Sequence, residues 1–144
     1  MTAYVESSAV LRWLLAEQQG EEIRAFLAGA SKVVCSRLTL IETRRVVRRA
    51  ERDRRLMATE AVAVLATLSR AAVTWAVLEI SAEVALRAES GFPAEPIRTL
   101  DAIHLASVLV LRQSLGDLVV VSTDDRVRTN AVHLGLPLLP AETS

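Results

Sequence analysis

The stretch TLDAIHLASVLVLRQSLGDLVVVSTDD, residues 99–125, carries the pattern that decides the fold. Its first half, Thr99 to Arg112, is strongly apolar and predicts a helix, which Gly116 separates from the next element. Leu118 to Val121 is an uninterrupted apolar run, typical of a strand buried on both faces of a parallel sheet. Two aspartates, Asp124 and Asp125, come soon after that strand. The stretch therefore predicts a helix, a buried strand and acids where the strand ends.

The same alternation of strand and helix patterns runs through all 144 residues. Strands are predicted at 2–5, 32–35, 73–80, 118–121 and, marginally, 137–139. Helices are predicted to follow Ser7 as a cap and to cover 21–27, 38–54, 59–69, 82–89, 99–112 and 126–134. Strands separated by helices favour a parallel sheet with helices on both faces. We expect one α/β domain, residues 1–144, with three α/β/α layers around a central parallel sheet of four to five strands.

The composition excludes several classes of protein. Hydrophobic residues make up 51% of the chain, but no run approaches the roughly 20 apolar residues of a membrane span. The first residues lack the features of a signal peptide, so we expect a cytoplasmic protein. The net charge of zero argues against a uniformly basic nucleic-acid binder. Cys35, the only cysteine, lies in an apolar run and is predicted to be a buried packing residue.

Acidic residues follow two of the predicted strands. Glu6 comes directly after the first strand, and Asp124 and Asp125 follow the strand that ends at Val121. In open parallel sheets, ligands bind where loops leave the carboxyl ends of the strands. Acids in this position are also common as helix caps, so Asp124 or Asp125 could simply cap the next helix.

Two further acids lie inside predicted helices. Asp101 has Leu105 and Val108 beside it at helical spacing, and a carboxylate on such an apolar face is costly to bury without a partner. Alternatively, it is a first-turn charge that the helix dipole favours. Glu42 lies at the edge of a buried stripe, but it also stands three residues after Thr39, which matches a capping box. Both interpretations remain open for each acid.

Four carboxylates gathered at one sheet edge, those of Glu6, Glu42, Asp101 and Asp125, would repel one another unless a cation neutralised them. One cysteine and two histidines give no thiolate cage or histidine-rich zinc site. Carboxylate oxygens suit hard ions such as Mg²⁺ or Mn²⁺. Such an ion activates water for attack on a phosphate. The pattern therefore indicates metal-dependent phosphodiester hydrolysis.

The segments that carry these acids resemble the PIN-domain nucleases, and within them the VapC toxins of bacterial toxin–antitoxin pairs. The segments are YVESSAV (4–10), SRLTLIE (36–42), RTLDAIHLAS (98–107) and STDDRV (122–127). The third is a close match to the family's most specific motif, and Thr-x-Asp in the fourth favours Asp125 as the acid. Together the motifs span nearly the whole chain.

The resemblance implies a magnesium- or manganese-dependent endoribonuclease, usually a homodimer, inhibited by a cognate VapB-like antitoxin and meeting operator DNA only through it. It implies that Glu6, Asp101 and Asp125 hold the metal and that Glu42 completes the catalytic set. One residue departs from the family, since its first acid is normally aspartate and here is Glu6. Two alternatives therefore stay open: a catalytically weakened protein acting through antitoxin and operator-DNA complexes, and a non-toxin PIN nuclease in RNA processing.

Polar neighbours of the acids have two interpretations each. Three polar residues are expected to orient the acids through hydrogen bonds to the carboxylates or to a metal-bound water, namely Ser8, Thr123 and Asp124. Each could instead cap the helix that follows it. His104, one turn after Asp101, is expected to be a packing histidine of the motif, with substrate contact as the alternative.

An arginine-rich segment, residues 44–55, has seven arginines and two acids. Its arginines recur at three and four residues and predict a basic helical face, with Arg44, Arg45, Arg48 and Arg49 at its start. That face could follow an RNA backbone, meet an acidic antitoxin segment or simply be solvated. Aromatic residues make up only 3% of the chain, which disfavours RNA binding by base stacking.

Overall fold

The computed structural model describes residues 1–142 and contains a five-stranded parallel sheet with strand order β3-β2-β1-β4-β5. The strands are β1 (Thr2–Val5), β2 (Lys32–Ser36), β3 (Ala76–Leu78), β4 (Leu118–Val121) and β5 (Leu138–Leu139). The helices are α1 (Ser7–Leu14), α2 (Gly20–Gly29), α3 (Arg37–Arg52), α4 (Ala58–Ala72), α5 (Ala82–Ala88), α6 (Thr99–Arg112) and α7 (Asp125–His133). Among these described helices, none is long and apolar enough to cross a membrane. The predicted α/β class with its parallel central sheet is confirmed.

Strand β1 lies at the centre of the sheet and pairs with both β2 and β4. Tyr4 stands opposite Val34 on one side and Val120 on the other. All strand pairs are parallel, so the carboxyl ends of the strands meet at one edge of the sheet. Residues that follow β1, β2 and β4 are therefore neighbours there, although they are far apart in the chain.

The core has two parts, one on each face of the sheet. Successive strand residues point to opposite faces, so Val120 packs with α5, α6 and α7 while Val121 packs with α1, α2 and α4. Leu105 of α6 and Leu68 of α4 are fully buried in the two parts. A sheet covered on both faces explains why β4 is an uninterrupted apolar run.

Cys35 lies in β2 and is fully buried, as the sequence predicts. Burial raises the pKa of its thiol to about 12, since the low-polarity interior disfavours the thiolate. Cys35 is thus a packing residue.

The predicted strand at 73–80 is too long. The helix α4 continues to Ala72, and a turn then leads to Trp75 before β3 begins at Ala76. The turn contains the β-branched residues Val73 and Thr74, which favour a strand prediction, and no glycine or proline marks the end of the helix. Trp75 packs against Trp13 instead, with ring centroids 6.3 Å apart.

One predicted helix cap is wrong, and one interpretation that the sequence left open is excluded. The cap of α1 is Glu6, whose carboxylate accepts a hydrogen bond from the amide of Ser8, so Ser7 is the first helical residue. The cap of α3 is Ser36, and the hydroxyl of Thr39 donates to the carbonyl of Val5 instead. The capping-box interpretation of Glu42 is therefore excluded.

Replacing Leu68 with alanine is expected to lower the free energy of unfolding by about 2–5 kcal/mol, because it leaves a cavity in a fully packed core. Val62 lies on the same helix with 69% of its surface exposed, so Val62→Ala is a matched control expected to change stability by less than about 0.5 kcal/mol. Urea unfolding measures both. Equal losses in the two variants would contradict the described packing of α4.

Candidate active site

The carboxyl edge of the sheet gathers side chains from four segments. Glu6 follows β1 and Ser122 follows β4, while Glu42 comes from α3 and Asp101 from the first turn of α6. Glu6, Ser122 and Asp101 are buried, and Glu42 is partly exposed. The edge therefore carries an acidic cluster that is largely buried.

Glu6 is 6% exposed and is held by uncharged donors. Its Oε2 accepts hydrogen bonds from the amide of Ser8 at 3.2 Å, from the hydroxyl of Ser8 and from the hydroxyl of Ser122 at 2.8 Å. Its one potential ion-pair partner among the described residues is His104, whose Nε2 lies 3.8 Å from Oε1. Hydroxyl and amide donors fix the carboxylate, but they supply no full positive charge.

Glu42 lies in a hydrogen-bonded chain that begins at the core. Tyr4 Oη lies 2.8 Å from Nδ1 of His104, and Nε2 of the same ring lies 2.6 Å from Oε1 of Glu42. Ser7 Oγ lies 2.5 Å from Glu42 Oε1 and 3.2 Å from Glu6 Oε1. Ser7 has one hydroxyl proton and can donate it to only one of the two carboxylates at a time. It therefore links the two acids.

The pKa of Glu42 reflects these contacts. Burial acts to raise it, but hydrogen bonds from His104 and Ser7 outweigh burial and hold the pKa below its usual range. The charge of Asp101 acts in the opposite direction and raises it. The two carboxylates thus lie close enough to interact electrostatically, and Glu42 is ionised at neutral pH.

Asp101 is 4% exposed and is held by Arg98. The guanidinium of Arg98 donates from Nε to Oδ2 at 3.0 Å and from Nη2 to Oδ1 at 3.2 Å. The backbone amide of Arg98 also donates to Oδ2, so Asp101 stabilises the start of α6 as well. The two interpretations of Asp101, a buried carboxylate and a first-turn helix charge, both describe this residue.

The two aspartates after β4 have different environments. Asp124 caps α7 through the amide of Val127, at 3.1 Å, and its other oxygen accepts from Nη2 of Arg98 at 2.9 Å. Asp125 is the first residue of α7 and is exposed. No hydrogen bond or ion pair within residues 1–142 engages its carboxylate. Burial lowers the pKa of Arg128, and the nearby charge of Asp125 opposes that shift.

The predicted acids are not all equally close. The ligand atoms of Glu6, Glu42 and His104 lie within 4.8 Å of one another, and among described residues this is the cluster with the spacing of a metal site. Asp101 and Asp125 lie outside that cluster. The charge of Asp101 acts on Glu42, so Asp101 lies near the cluster, whereas Asp125 is exposed at the start of α7.

Several contacts were not predicted from the sequence. The hydroxyl that reaches Glu6 from the β4 loop belongs to Ser122, whereas Thr123 donates its backbone amide to Ser8. Arg98 opens the third motif, but the sequence assigns it no role. Its position three residues before Asp101, one helical turn away, is the local signal that could have identified it. The direct contact of the Ser8 hydroxyl with Glu6, in contrast, was among the contacts expected from the sequence.

His104 is 1% exposed, which agrees with a packing histidine and excludes it from open contact with substrate in this conformation. Its direct contact with Glu42 was not predicted. The ring also packs edge-on against Tyr4, with centroids 6.1 Å apart. His104 therefore fixes the position of Glu42 from the core side.

The residues at this edge fit a hard divalent cation. Glu6 is a buried carboxylate without a full counter-charge, and burial of such a group is costly unless a cation compensates it. Asp125 offers an unengaged carboxylate. Glu42 and His104 already engage each other at 2.6 Å. An oxygen-rich donor set of this kind is typical of Mg²⁺ or Mn²⁺ sites.

The predicted basic face lies on α3, the helix that also carries Glu42. Arg45, Arg48 and Arg49 are exposed and Arg44 is half-buried. Within residues 1–142, the ion pairs of this region involve Arg52 and Arg55 with Asp53 and leave those four arginines unpaired. They are available for an anionic partner.

The family model described as the PIN domain matches residues 3–132. Among solved structures, the chain is similar to the VapC20 toxin of Mycobacterium tuberculosis, described as cleaving the sarcin-ricin loop, with 18% identity, TM-score 0.61 and coverage of 88% of this chain and 93% of that one. It is also similar to a chain of a toxin–antitoxin complex from Klebsiella pneumoniae, with 16% identity, TM-score 0.66 and coverage of 98% and 99%.

A third similar structure is VapBC2 from Rickettsia felis bound to a fragment of promoter DNA, with 11% identity, TM-score 0.63 and coverage of 96% of this chain and 97% of that one. At these identities the likeness shows the fold alone. The comparison with curated proteins gives no match.

Proposed function

We propose, since the chain belongs to the PIN domain family, that it is a divalent-metal-dependent endoribonuclease and the toxin of a toxin–antitoxin pair. The observation that carries the proposal is the state of Glu6. Its carboxylate is buried beside Glu42 at the carboxyl edge of the sheet, and it meets neutral donors without a full positive charge. A cation would complete that arrangement.

In the proposed site, Glu6, Asp101 and Asp125 would hold a magnesium or manganese ion. Such an ion would neutralise the carboxylates, polarise the RNA phosphate and lower the pKa of water so that hydroxide forms near neutral pH. Ser8 and Ser122 keep the Glu6 carboxylate in one orientation, which a ligand must have before the ion arrives. Asp124 supports the same edge by capping α7 and holding Arg98.

Glu42 is proposed to accept a proton from the attacking water. Its lowered pKa keeps the carboxylate ionised at neutral pH, and Oε2 is not engaged by the described contacts to Ser7 and His104, which both reach Oε1. Those contacts hold the group still without occupying the second oxygen. A general base needs both an open acceptor and a fixed position.

The chain is expected to cleave RNA in the presence of Mg²⁺ or Mn²⁺ and to lose that cleavage when EDTA removes the ion. A radiolabelled structured RNA, separated on a denaturing gel, measures the products. Addition of excess Mn²⁺ after EDTA should restore the same cleavage sites. Cleavage that persists in EDTA, with unchanged sites, would contradict a metal-dependent mechanism.

The partners proposed for the chain are RNA, a second copy of itself and a VapB-like antitoxin in the cytoplasm. The similar structures include a toxin–antitoxin complex and a complex bound to promoter DNA, which supports contact with operator DNA through the antitoxin. The unpaired arginines of α3, Arg44, Arg45, Arg48 and Arg49, suit either RNA phosphates or an acidic antitoxin segment.

Glu6 in place of the family's usual aspartate favours a second candidate function. In that alternative, the acid is misplaced for catalysis, and the protein acts mainly through complexes with antitoxin and operator DNA. The two candidates differ in one measurement. The alternative requires antitoxin binding with no metal-dependent RNA cleavage, whereas the proposed toxin shows both. A PIN nuclease of RNA processing would cleave RNA without an antitoxin partner.

A further inference from the structure

We propose that Arg98 is a built-in counter-cation of the acidic site, which a divalent ion displaces from Asp101, so that Arg98 sets the affinity for metal. The inference rests on the proposed metal site and goes beyond it, because it assigns a role to a residue that contributes no ligand. Arg98 would act through Asp101 and is therefore a positioning residue.

The contacts of Arg98 occupy Asp101 on both oxygens. The guanidinium makes one hydrogen bond to Oδ2 and one to Oδ1, at 3.0 and 3.2 Å, and reaches Asp124 Oδ2 at 2.9 Å. An arginine guanidinium stays protonated in proteins, so Arg98 carries a full positive charge here. One guanidinium thus compensates two acids from two different helix starts, α6 and α7.

The two partners of this ion pair differ greatly in exposure. The side chain of Asp101 is 6% exposed and that of Arg98 is 60% exposed. A buried carboxylate that loses its cation is strongly destabilised, whereas an exposed guanidinium is readily solvated by water. Asp101 therefore needs a cation, but Arg98 does not need Asp101. Such a pair is suited to exchange one cation for another.

Arg98 would oppose the binding of a divalent ion to Asp101 in two ways. The ion would compete for oxygen lone pairs that the guanidinium already uses, and it would be repelled by the positive charge. Glu6 and Asp125 form no ion pair with an arginine within residues 1–142, although the charge of Arg128 lies near Asp125. Asp101 is then the ligand at which metal entry is controlled.

Removal of the guanidinium should therefore tighten metal binding. A unit positive charge close to the site is expected to weaken the affinity for a divalent ion by a factor on the order of ten in a water-like medium. We expect Arg98→Met to bind Mn²⁺ about tenfold more tightly than the wild type. The metal-free variant should also melt at a lower temperature, because Asp101 then lacks a partner, and Mn²⁺ should raise its melting temperature by more than it raises that of the wild type.

The experiment is isothermal titration of Mn²⁺ alone into the wild type and Arg98→Met, with thermal melts of both proteins with and without Mn²⁺. Arg24→Met is the matched control. Arg24 also pairs with an acid three residues away, Glu21, but that acid is exposed and Arg24 lines a surface hollow with Lys32, at the opposite edge of the sheet. The control should leave Mn²⁺ affinity within about twofold of the wild type.

The sign of the change separates this role from a structural one. If Arg98 only held Asp101 in place, its removal would loosen a ligand and weaken Mn²⁺ binding. Unchanged or weaker binding in a folded Arg98→Met protein would overturn the inference, as would an equal gain in Arg24→Met. If neither the wild type nor Arg98→Met binds Mn²⁺, the proposed function fails and this inference fails with it. Binding by the variant alone would support this inference and contradict the proposed function of the wild-type chain.

Arg98→Lys keeps the test decisive if Arg98→Met does not fold. A lysine retains the charge but cannot span both oxygens of Asp101 and also reach Asp124. We expect Mn²⁺ to bind this variant more tightly than the wild type, by a smaller factor than in Arg98→Met. Wild-type or weaker affinity in Arg98→Lys would overturn the inference.

Discussion

Asp101→Asn is expected to lower metal-dependent RNA cleavage by about 10²–10³-fold while the protein stays folded. The change preserves the shape of a nearly fully buried side chain and removes only its charge. A neutral amide is a poor ligand for Mg²⁺ or Mn²⁺ and does not offset the charge of Arg98. Single-turnover cleavage at saturating Mn²⁺ measures the loss of rate.

The matched control is Asp117→Asn. Asp117 is exposed at the opposite edge of the sheet, just before β4, where its carboxylate lies 3.4 Å from the N-terminal amine. The Asp117→Asn variant loses the same charge at a surface position and should cleave RNA at the wild-type rate. Circular dichroism should show both variants folded. Wild-type cleavage by folded Asp101→Asn would remove this residue from the proposed site.

Glu6→Ala is expected to abolish cleavage, and Glu6→Asp to reduce it by about a hundredfold. The shorter side chain withdraws the carboxylate by about 1.5 Å, and catalytic groups displaced by roughly that distance lose activity on this scale. The shorter carboxylate would also lose the hydrogen bonds from Ser8 and Ser122, which fit the longer glutamate. We infer that this pocket is built for glutamate.

The aspartate variant decides between the two candidate functions. If Glu6→Asp cleaves faster than the wild type, then glutamate has weakened an aspartate site, and the role in antitoxin and operator complexes gains support. Glu22→Asp makes the same change at an exposed position of α2 and should have no effect on the cleavage rate. Unchanged cleavage by Glu6→Ala would exclude Glu6 from the proposed mechanism.

The fold was predictable where local sequence marks both ends of an element. Residues 99–112 and 118–121 were predicted with the bounds that the structure has, because an apolar run is followed by Gly116 and then by acids. The prediction failed at 73–75, where a helix ends without glycine or proline, and at 79–80, because the short strand β3 ends at Leu78. It failed at Ser7 because an acid, Glu6, takes the cap that serine usually provides.

The site was predictable in its acids and not in their partners. Each motif points to a carboxylate, but the contacts that fix those carboxylates join residues far apart in the chain. His104 is 62 residues from Glu42, and Ser122 is 116 residues from Glu6. No local pattern reports which hydroxyl of a distant loop faces which acid. Arg98 is the exception, since it lies one turn from its partner.

The central position of β1 has a consequence during translation. Glu6 leaves the ribosome more than a hundred residues before its neighbour Ser122 and the last residues of the pairing strand β4. A nascent chain therefore carries this acid without its Ser122 and β4 neighbours until those residues have emerged. The proposed ribonuclease activity therefore requires that the chain be synthesised at least through β4 and Ser122.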